Sequence, residues 1–172
     1  MAARADGPRS PLVGVCGASR AQPAVEATAE RVGELIAARG GVVVCGGLGG
    51  VMAAAARGAA RGHGISVGLL PGESDRDAAT ELSLAIPTAM GEMRNVLIVR
   101  ACAVIVAIGG AYGTLSEIAF ALRCGRPVIG IETWEIRPPG GTLDGTGIRP
   151  ARDADEAVAM AFAALEDAAH RS

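Results

Sequence analysis

Three short glycine-rich segments are the first candidates for chemistry in this sequence. Residues 14–19, 46–50 and 109–114 each follow an apolar run of strand length and precede a stretch with helical spacing. Glycine permits close backbone approach, and the N-terminus of the following helix presents free N–H groups to an anion. One such segment is equally consistent with a tight strand–helix connection. Three of them at one sheet edge favour a pocket for a phosphorylated ligand of nucleotide size.

A carboxylate follows the third glycine segment. Thr114 and Glu117 form a T-x-x-E pattern, which is typical of a capping box in which the glutamate binds the backbone at the start of its own helix. In the functional alternative, the Glu117 carboxylate lies one helical turn from a bound phosphate and close to the sugar of a nucleotide. The residues by themselves support both alternatives equally.

Arg94 is the second candidate for a functional side chain. An isolated arginine at the start of a helix usually lies on the surface, but Arg94 follows the end of an expected strand on the ligand edge of the sheet. Its guanidinium could bind a phosphate through two hydrogen bonds, or it could orient a substrate beside Glu117.

Several classes of site are excluded by residue type. All 16 basic residues are arginine, so a lysine Schiff base and the lysine of a P-loop are both absent. Met52 occupies the third glycine position of a dinucleotide fingerprint, which favours a mononucleotide over NAD. Two histidines and four widely separated cysteines predict neither a metal site nor a disulfide framework.

The elements that must position these residues alternate along the whole chain. Apolar runs that do not alternate with polar residues predict strands covered on both faces, and strand–helix alternation predicts a parallel sheet. The strands are expected at residues 12–16, 42–45, 65–70, 82–86, 104–108 and 127–131. Helices are expected at residues 23–39, 52–61, 92–101, 114–123 and from 153 or 155 to 165.

The predicted fold is a single-domain α/β, Rossmann-like, doubly wound parallel sheet of about six or seven strands with helices on both faces. Ligands of such folds bind at the carboxyl ends of the strands. We expect residues 1–11 to form a disordered tail and residues 12–169 to form the nucleotide-binding domain. A Pro/Gly-rich stretch at residues 137–147 is expected to be a surface loop or lid.

Composition and charge exclude further functional classes. Half of the residues are hydrophobic and the formal net charge is −2, so neither general disorder nor a dedicated nucleic-acid binder is expected. The longest apolar stretch, residues 101–108, is too short to span a membrane, and the N-terminus lacks the apolar core of a signal peptide. Together with the scattered cysteines, this predicts a cytoplasmic protein with no membrane partner.

The glycine segments, Arg94 and Glu117 together resemble the motifs of the LONELY GUY (LOG) family. The family patterns are G-G-G-x-x-G-x-M, M-x-x-R-K and P-G-G-x-G-T-x-x-E. Residues 45–52 of this chain read C-G-G-L-G-G-V-M, and residues 109–117 read G-G-A-Y-G-T-L-S-E. The resemblance extends from about residue 13 to residue 134.

Departures from these patterns indicate a divergent branch, which also includes molybdenum-cofactor carrier-like proteins. Gly109 replaces the proline of the third pattern, and Ala111 replaces its second glycine. Asn95 stands where the family has lysine, and Met90 lies four residues before Arg94 instead of three.

Members of the LOG family are Rossmann-like homodimers, and many cleave a nucleoside 5′-monophosphate into the free base and ribose 5-phosphate. The resemblance therefore implies a homodimer that binds a nucleoside monophosphate or a similar phosphorylated molecule and needs no cofactor. It also implies that Arg94 and Glu117 act as a catalytic pair, in which the carboxylate stabilises an oxocarbenium-like transition state or activates water. The residues expected to bind phosphate and nucleotide are Gly17 and Ser19 of the first glycine segment and, from the matching patterns, Gly46, Gly47, Gly49, Met52, Gly110, Gly113 and Thr114.

The alternative is a non-catalytic protein that binds or carries a nucleotide or a phosphorylated pterin. Such a protein needs the same phosphate site but no cleavage. Asn95 favours this alternative, whereas the presence of both Arg94 and Glu117 favours hydrolysis. Cleavage of an N-glycosidic bond is therefore the first prediction and carriage the second.

Overall fold

The computed structural model describes residues 9–136 and 147–170. Strands and helices alternate through these residues as the sequence predicts. Seven strands are present: β1 Leu12–Gly17, β2 Val42–Cys45, β3 Ile65–Leu70, β4 Leu84–Pro87, β5 Val104–Ile108, β6 Val128–Ile131 and β7 Arg149–Pro150. The helices are α1 Pro23–Ala38, α2 Val51–Arg61, α3 Asn95–Ala101, α4 Tyr112–Arg123 and α5 Ala154–Ala169, with a 3-10 turn at Gly91–Arg94 before α3.

The strands form one parallel sheet in the order β4-β3-β2-β1-β5-β6-β7. From β1 the chain moves outward in one direction through β4, and from β5 it moves outward in the other. The strand order therefore reverses between β1 and β5, the position at which doubly wound folds bind ligands. The predicted α/β fold class and its number of strands are confirmed.

The core lies on both faces of the sheet and consists mainly of Val, Ile and Ala. On one face, α1, α2 and α5 bury side chains against the strands. The opposite face is covered by α3 and α4. β5 supplies both cores alternately, because Val104, Val106 and Ile108 point to the first and Ile105 and Ala107 point to the second.

Helices α1 and α2 approach each other with their backbones in contact. A Cβ atom on Gly58 would overlap the carbonyl oxygen of Glu30, and one on Gly33 would overlap the carbonyl oxygen of Ala55. Only glycine fits at these two crossing points. The Arg57 Nε–H also donates to a Glu30 carboxylate oxygen at 2.7 Å, so the same helix pair carries an ion pair.

Parts of two predicted segments lie outside the described residues, namely residues 1–8 of the tail and residues 137–146 of the loop. Within the described residues, no helix combines the length and apolar character needed to cross a membrane.

Candidate functional site

A cleft of about 320 Å³ lies at the carboxyl end of the sheet, at the point where the strand order reverses. Its volume is at the lower end of the range for small-molecule sites. Most of the predicted site residues line it, namely Gly17, Ser19, Met52, Arg94, Gly113, Thr114 and Glu117. They come from the end of β1 and the loop after it, the first turn of α2, the 3-10 turn and the first half of α4.

Gly46 does not line the cleft but lies directly behind Arg94. A Cβ atom at Gly46 would lie 2.5 Å from Nη2 and 2.6 Å from Nη1 of Arg94, and 2.7 Å from Sδ of Met52. Because glycine has no side chain, position 46 leaves room for the buried guanidinium of Arg94.

The remaining predicted glycines also lie outside the cleft lining. Gly47 has a φ of 75°, a left-handed conformation that favours glycine. A Cβ atom on Gly49 would approach the Ser19 carbonyl oxygen to 3.0 Å, and one on Gly110 would lie 2.6 Å from Nε1 of Trp134. These positions need glycine for packing between backbone segments and against the indole.

The capping-box interpretation of Glu117 is wrong. Helix α4 begins at Tyr112, with Ala111 as its N-cap, three residues before the N-cap that the T-x-x-E pattern predicts, and Thr114 already lies within its first turn. The Thr114 hydroxyl accepts a hydrogen bond from the Ala111 N–H at 3.4 Å and thus supplies the cap itself. The Glu117 side chain is consequently free to point into the cleft, where it is buried.

Arg94 and Glu117 form a buried ion pair at the base of the cleft. Nη1 of Arg94 lies 3.7 Å from Oε1 of Glu117, and each side chain is more than nine-tenths buried. Nη1 donates its hydrogen bond to Oδ1 of Asn95 at 2.7 Å. Among the described residues, the Arg94 Nε–H has no hydrogen-bond partner. Burial lowers the pKa of Arg94 while the Glu117 charge opposes this, and an arginine remains charged in either case.

Burial dominates the protonation of Glu117. It raises the pKa of the carboxyl from 4.5 to about 7, although the Arg94 charge and a hydrogen bond from the Cys16 thiol both act in the opposite direction. Burial and the same carboxylate keep the pKa of Cys16 well above its ordinary value, and burial raises that of Cys45 to about 11. The Glu117 carboxyl therefore titrates near neutral pH, which is the range that suits a general acid or base.

Sequence reasoning missed two polar side chains of the cleft, Glu92 and Asn95, and the apolar lining residues Ala18, Leu48, Pro71 and Ala111. Glu92 is exposed at the rim, next to Arg94 along the 3-10 turn. Asn95 is buried and contacts Arg94 directly. A signal for Asn95 was present, since it stands where the LOG pattern has lysine. In the part of the chain that the structure describes, no three His, Cys, Asp or Glu side chains are grouped to hold a metal ion.

The chain is similar to a known protein and to solved structures. It is 44% identical over 129 residues to an uncharacterised protein from Archaeoglobus fulgidus, covering 74% of this chain and 80% of that relative. Its fold matches the molybdenum cofactor binding protein from Rippkaea orientalis with a TM-score of 0.84 and 30% identity. The molybdenum cofactor carrier protein from Chlamydomonas reinhardtii matches with a TM-score of 0.81 and 30% identity. Each of these two matches covers 92% of this chain and 99% of the other.

These similarities confirm the predicted relation to a divergent LOG-like branch that includes molybdenum-cofactor carrier-like proteins. The model of the SLOG cluster4 family matches residues 10–159, which is most of the sequence. The chain therefore belongs to the SLOG cluster4 family.

Proposed function

We propose that the cleft binds a phosphorylated small molecule through Arg94 and the first turn of α4. The observation that carries this proposal is the buried guanidinium with an unpartnered Nε–H in a concave site. A buried cation is costly unless its donors are paired, and Glu117 shares no direct hydrogen bond with it. An anionic oxygen of a ligand would supply the missing acceptor, and a phosphate offers several.

The ligand that we propose first is a phosphorylated pterin of the molybdenum-cofactor type, which the chain would bind and carry as cargo. The 30% identity to two proteins named for this cofactor supports that choice. This function requires binding only, and the substitution of lysine by Asn95 is compatible with it.

Hydrolysis of a nucleoside 5′-monophosphate is the second candidate, favoured by the titration of Glu117 near neutral pH. Cleavage would break the C1′–N bond, with its electron pair and a proton passing to the departing base. Water would supply the oxygen at C1′ to give ribose 5-phosphate. Glu117 would stabilise the developing positive charge or take the proton from water, and Arg94 would orient the phosphate-bearing sugar.

One experiment with two arms separates these candidates. The purified chain is incubated with molybdenum cofactor released from a molybdoenzyme, and the molybdenum and pterin that remain bound after gel filtration are measured. In parallel, a panel of nucleoside monophosphates is incubated with the chain, and ribose 5-phosphate is followed by mass spectrometry. Wild type and Glu117→Gln are run side by side.

The expected result is retention of the cofactor by the wild-type chain without ribose 5-phosphate. Ribose 5-phosphate that appears with the wild type and is lost with Glu117→Gln would establish hydrolysis in place of carriage. If neither ligand is retained and no product forms, the proposal for this cleft is wrong.

We also propose that the chain forms a homodimer, as the resemblance to the LOG family implies. The edge strand β4 exposes Leu84 and Ile86, and the segment around α3 exposes Met93 and Leu97. Exposed large apolar side chains of this kind support a protein–protein interface. Sedimentation velocity is expected to give twice the chain mass, and a monomer at all concentrations would contradict this proposal.

We propose the cytoplasm as the location of the protein. Four cysteines are free, and three of them are buried among apolar residues, where they act as small hydrophobic side chains. This usage is typical of a reducing compartment.

A further inference from the structure

A chain of hydrogen bonds connects Arg94 to the first turn of α4. Nη1 of Arg94 donates to Oδ1 of Asn95 at 2.7 Å, and Nδ2 of Asn95 donates to the Ser116 hydroxyl at 2.9 Å. The Ser116 hydroxyl in turn donates to the Gly113 carbonyl oxygen at 2.7 Å. A guanidinium can only donate, so the amide oxygen of Asn95 must face it and the amide nitrogen must face Ser116.

Asn95 and Glu117 both face Nη1 of Arg94, which carries two N–H donors, but only Asn95 lies within hydrogen-bond distance of it. The distance of 3.7 Å from Nη1 to Oε1 of Glu117 is longer than a hydrogen bond, whereas arginine and carboxylate groups in direct contact pair at about 2.7–2.9 Å. The buried pair is therefore held open by about an ångström. If the pair closed, Glu117 would take up donors that a bound anion needs.

We infer that Asn95 is a positioning residue that keeps Arg94 from closing onto Glu117, so that the guanidinium stays available to an anionic oxygen of the ligand. Ser116 holds the Asn95 amide in the orientation that this role requires. The inference rests on the proposed function, because the anion is the phosphate of the proposed ligand.

The residue type at position 95 agrees with this role. A lysine side chain has three donors and no acceptor, so it could not accept the hydrogen bond from Nη1. Among the described residues, Nη1 would then face the Glu117 carboxylate as its ion-pair partner. Asparagine supplies an acceptor and a donor at once, and it adds no charge to a buried site. A site with lysine at this position must hold its arginine by other contacts.

The test uses Asn95→Leu, Asn95→Asp and Ser116→Ala in the full chain. Thr28→Ala is the matched control for Ser116→Ala, because the Thr28 hydroxyl likewise donates to a backbone carbonyl of its own helix, at 3.1 Å and away from the cleft. The Glu117 carboxyl carbon is titrated by NMR without ligand. The affinity for inorganic phosphate is then measured by following backbone amide shifts.

Asn95→Leu is expected to lower the pKa of Glu117, because the freed Arg94 donates to the ionised carboxylate and stabilises it. Phosphate affinity should weaken about tenfold, the scale of one lost charge-assisted hydrogen bond. Ser116→Ala should shift the pKa in the same direction by less. Asn95→Asp retains the acceptor and adds a negative charge, so it should raise the pKa of Glu117. Thr28→Ala should change neither quantity.

An unchanged or higher pKa of Glu117 in Asn95→Leu would overturn the inference, and so would equal shifts in the leucine and aspartate variants. The titration of Glu117 needs no ligand, so it tests the role of Asn95 independently of whether the cleft binds phosphate. If the wild-type chain does not bind phosphate, the proposed anion site fails while the pKa comparison still stands.

Discussion

Replacement of Arg94 by methionine is expected to weaken binding of a phosphorylated ligand at least about a hundredfold, since it removes two or more charge-assisted hydrogen bonds. The free energy of unfolding should fall by no more than about 2 kcal/mol, the scale of one buried acceptor, Oδ1 of Asn95, left without its donor. Removing one partner of a buried ion pair usually costs more because it leaves a buried charge unpaired, but Glu117 can avoid this by holding a proton, since burial already raises its pKa to about 7. Calorimetric titration with a ligand retained by the wild type, together with urea unfolding, measures both quantities.

A second variant displaces the same guanidinium without removing it. Gly46→Ala places a methyl group 2.5 Å from Nη2 of Arg94, and the atoms it meets are the ends of two flexible side chains. The chain should therefore fold, but with Arg94 moved and ligand affinity reduced. Gly72→Ala is the matched control, because a Cβ atom there has no neighbour closer than 4.0 Å. If Arg94→Met and Gly46→Ala both bind the ligand with wild-type affinity, Arg94 is not part of the binding site.

The stability of the chain should fall as the pH rises from about 5 to above 7, and Glu117→Gln should remove much of that fall. The pKa of Glu117 is about 7 in the folded chain and near 4.5 in the unfolded chain. Between these values the folded state holds a proton that the unfolded state has released, so raising the pH favours unfolding. Above the folded-state pKa, ionisation of the buried Glu117 lowers the free energy of unfolding by its full amount, on the order of 3 kcal/mol.

Urea unfolding of wild type and Glu117→Gln at pH 5, 7 and 8.5 measures this contribution. At pH 8.5 the glutamine variant should be the more stable, and the difference should shrink toward pH 5. Glu73→Gln controls for the loss of one exposed negative charge in a loop. Parallel stability curves for wild type and Glu117→Gln would show that burial does not shift the titration of this carboxyl.

The regular elements were predictable because their residues permit few alternatives. Residues 104–108 are apolar throughout and form a fully buried strand, as such a run predicts. The start of β4 was less predictable, since the strand begins at Leu84 and not at residue 82. Ser66 and Ser83 explain the difference. Each hydroxyl accepts a hydrogen bond from the other residue's backbone N–H, at 3.0 and 3.1 Å, before the ladder begins.

The two main residues of the site could be predicted from the sequence, but the arrangement of the side chains around them could not. Arg94 and Glu117 were singled out by residue type and by their positions after strands, and the structure brings them to 3.7 Å. Two features depend on how α4 packs against the 3-10 turn, namely the true start of α4 and the hydrogen bonds through Asn95. A local pattern such as T-x-x-E describes one helix, so it could not show that Thr114 already satisfies the cap and releases Glu117.

The glycine contacts between α1 and α2 have a consequence for the walls of the cleft. These contacts fix the two helices to each other, and the Val51 N–H donates to the Ala18 carbonyl oxygen at 3.1 Å where the preceding loops meet. The loops after β1 and β2 therefore form one rigid wall of the cleft. The opposite wall contains the 3-10 turn, which begins at Gly91 with a φ of 55° and carries the exposed Met93. The proposed ligand would therefore lie between the wall formed by these loops and the 3-10 turn that carries Arg94.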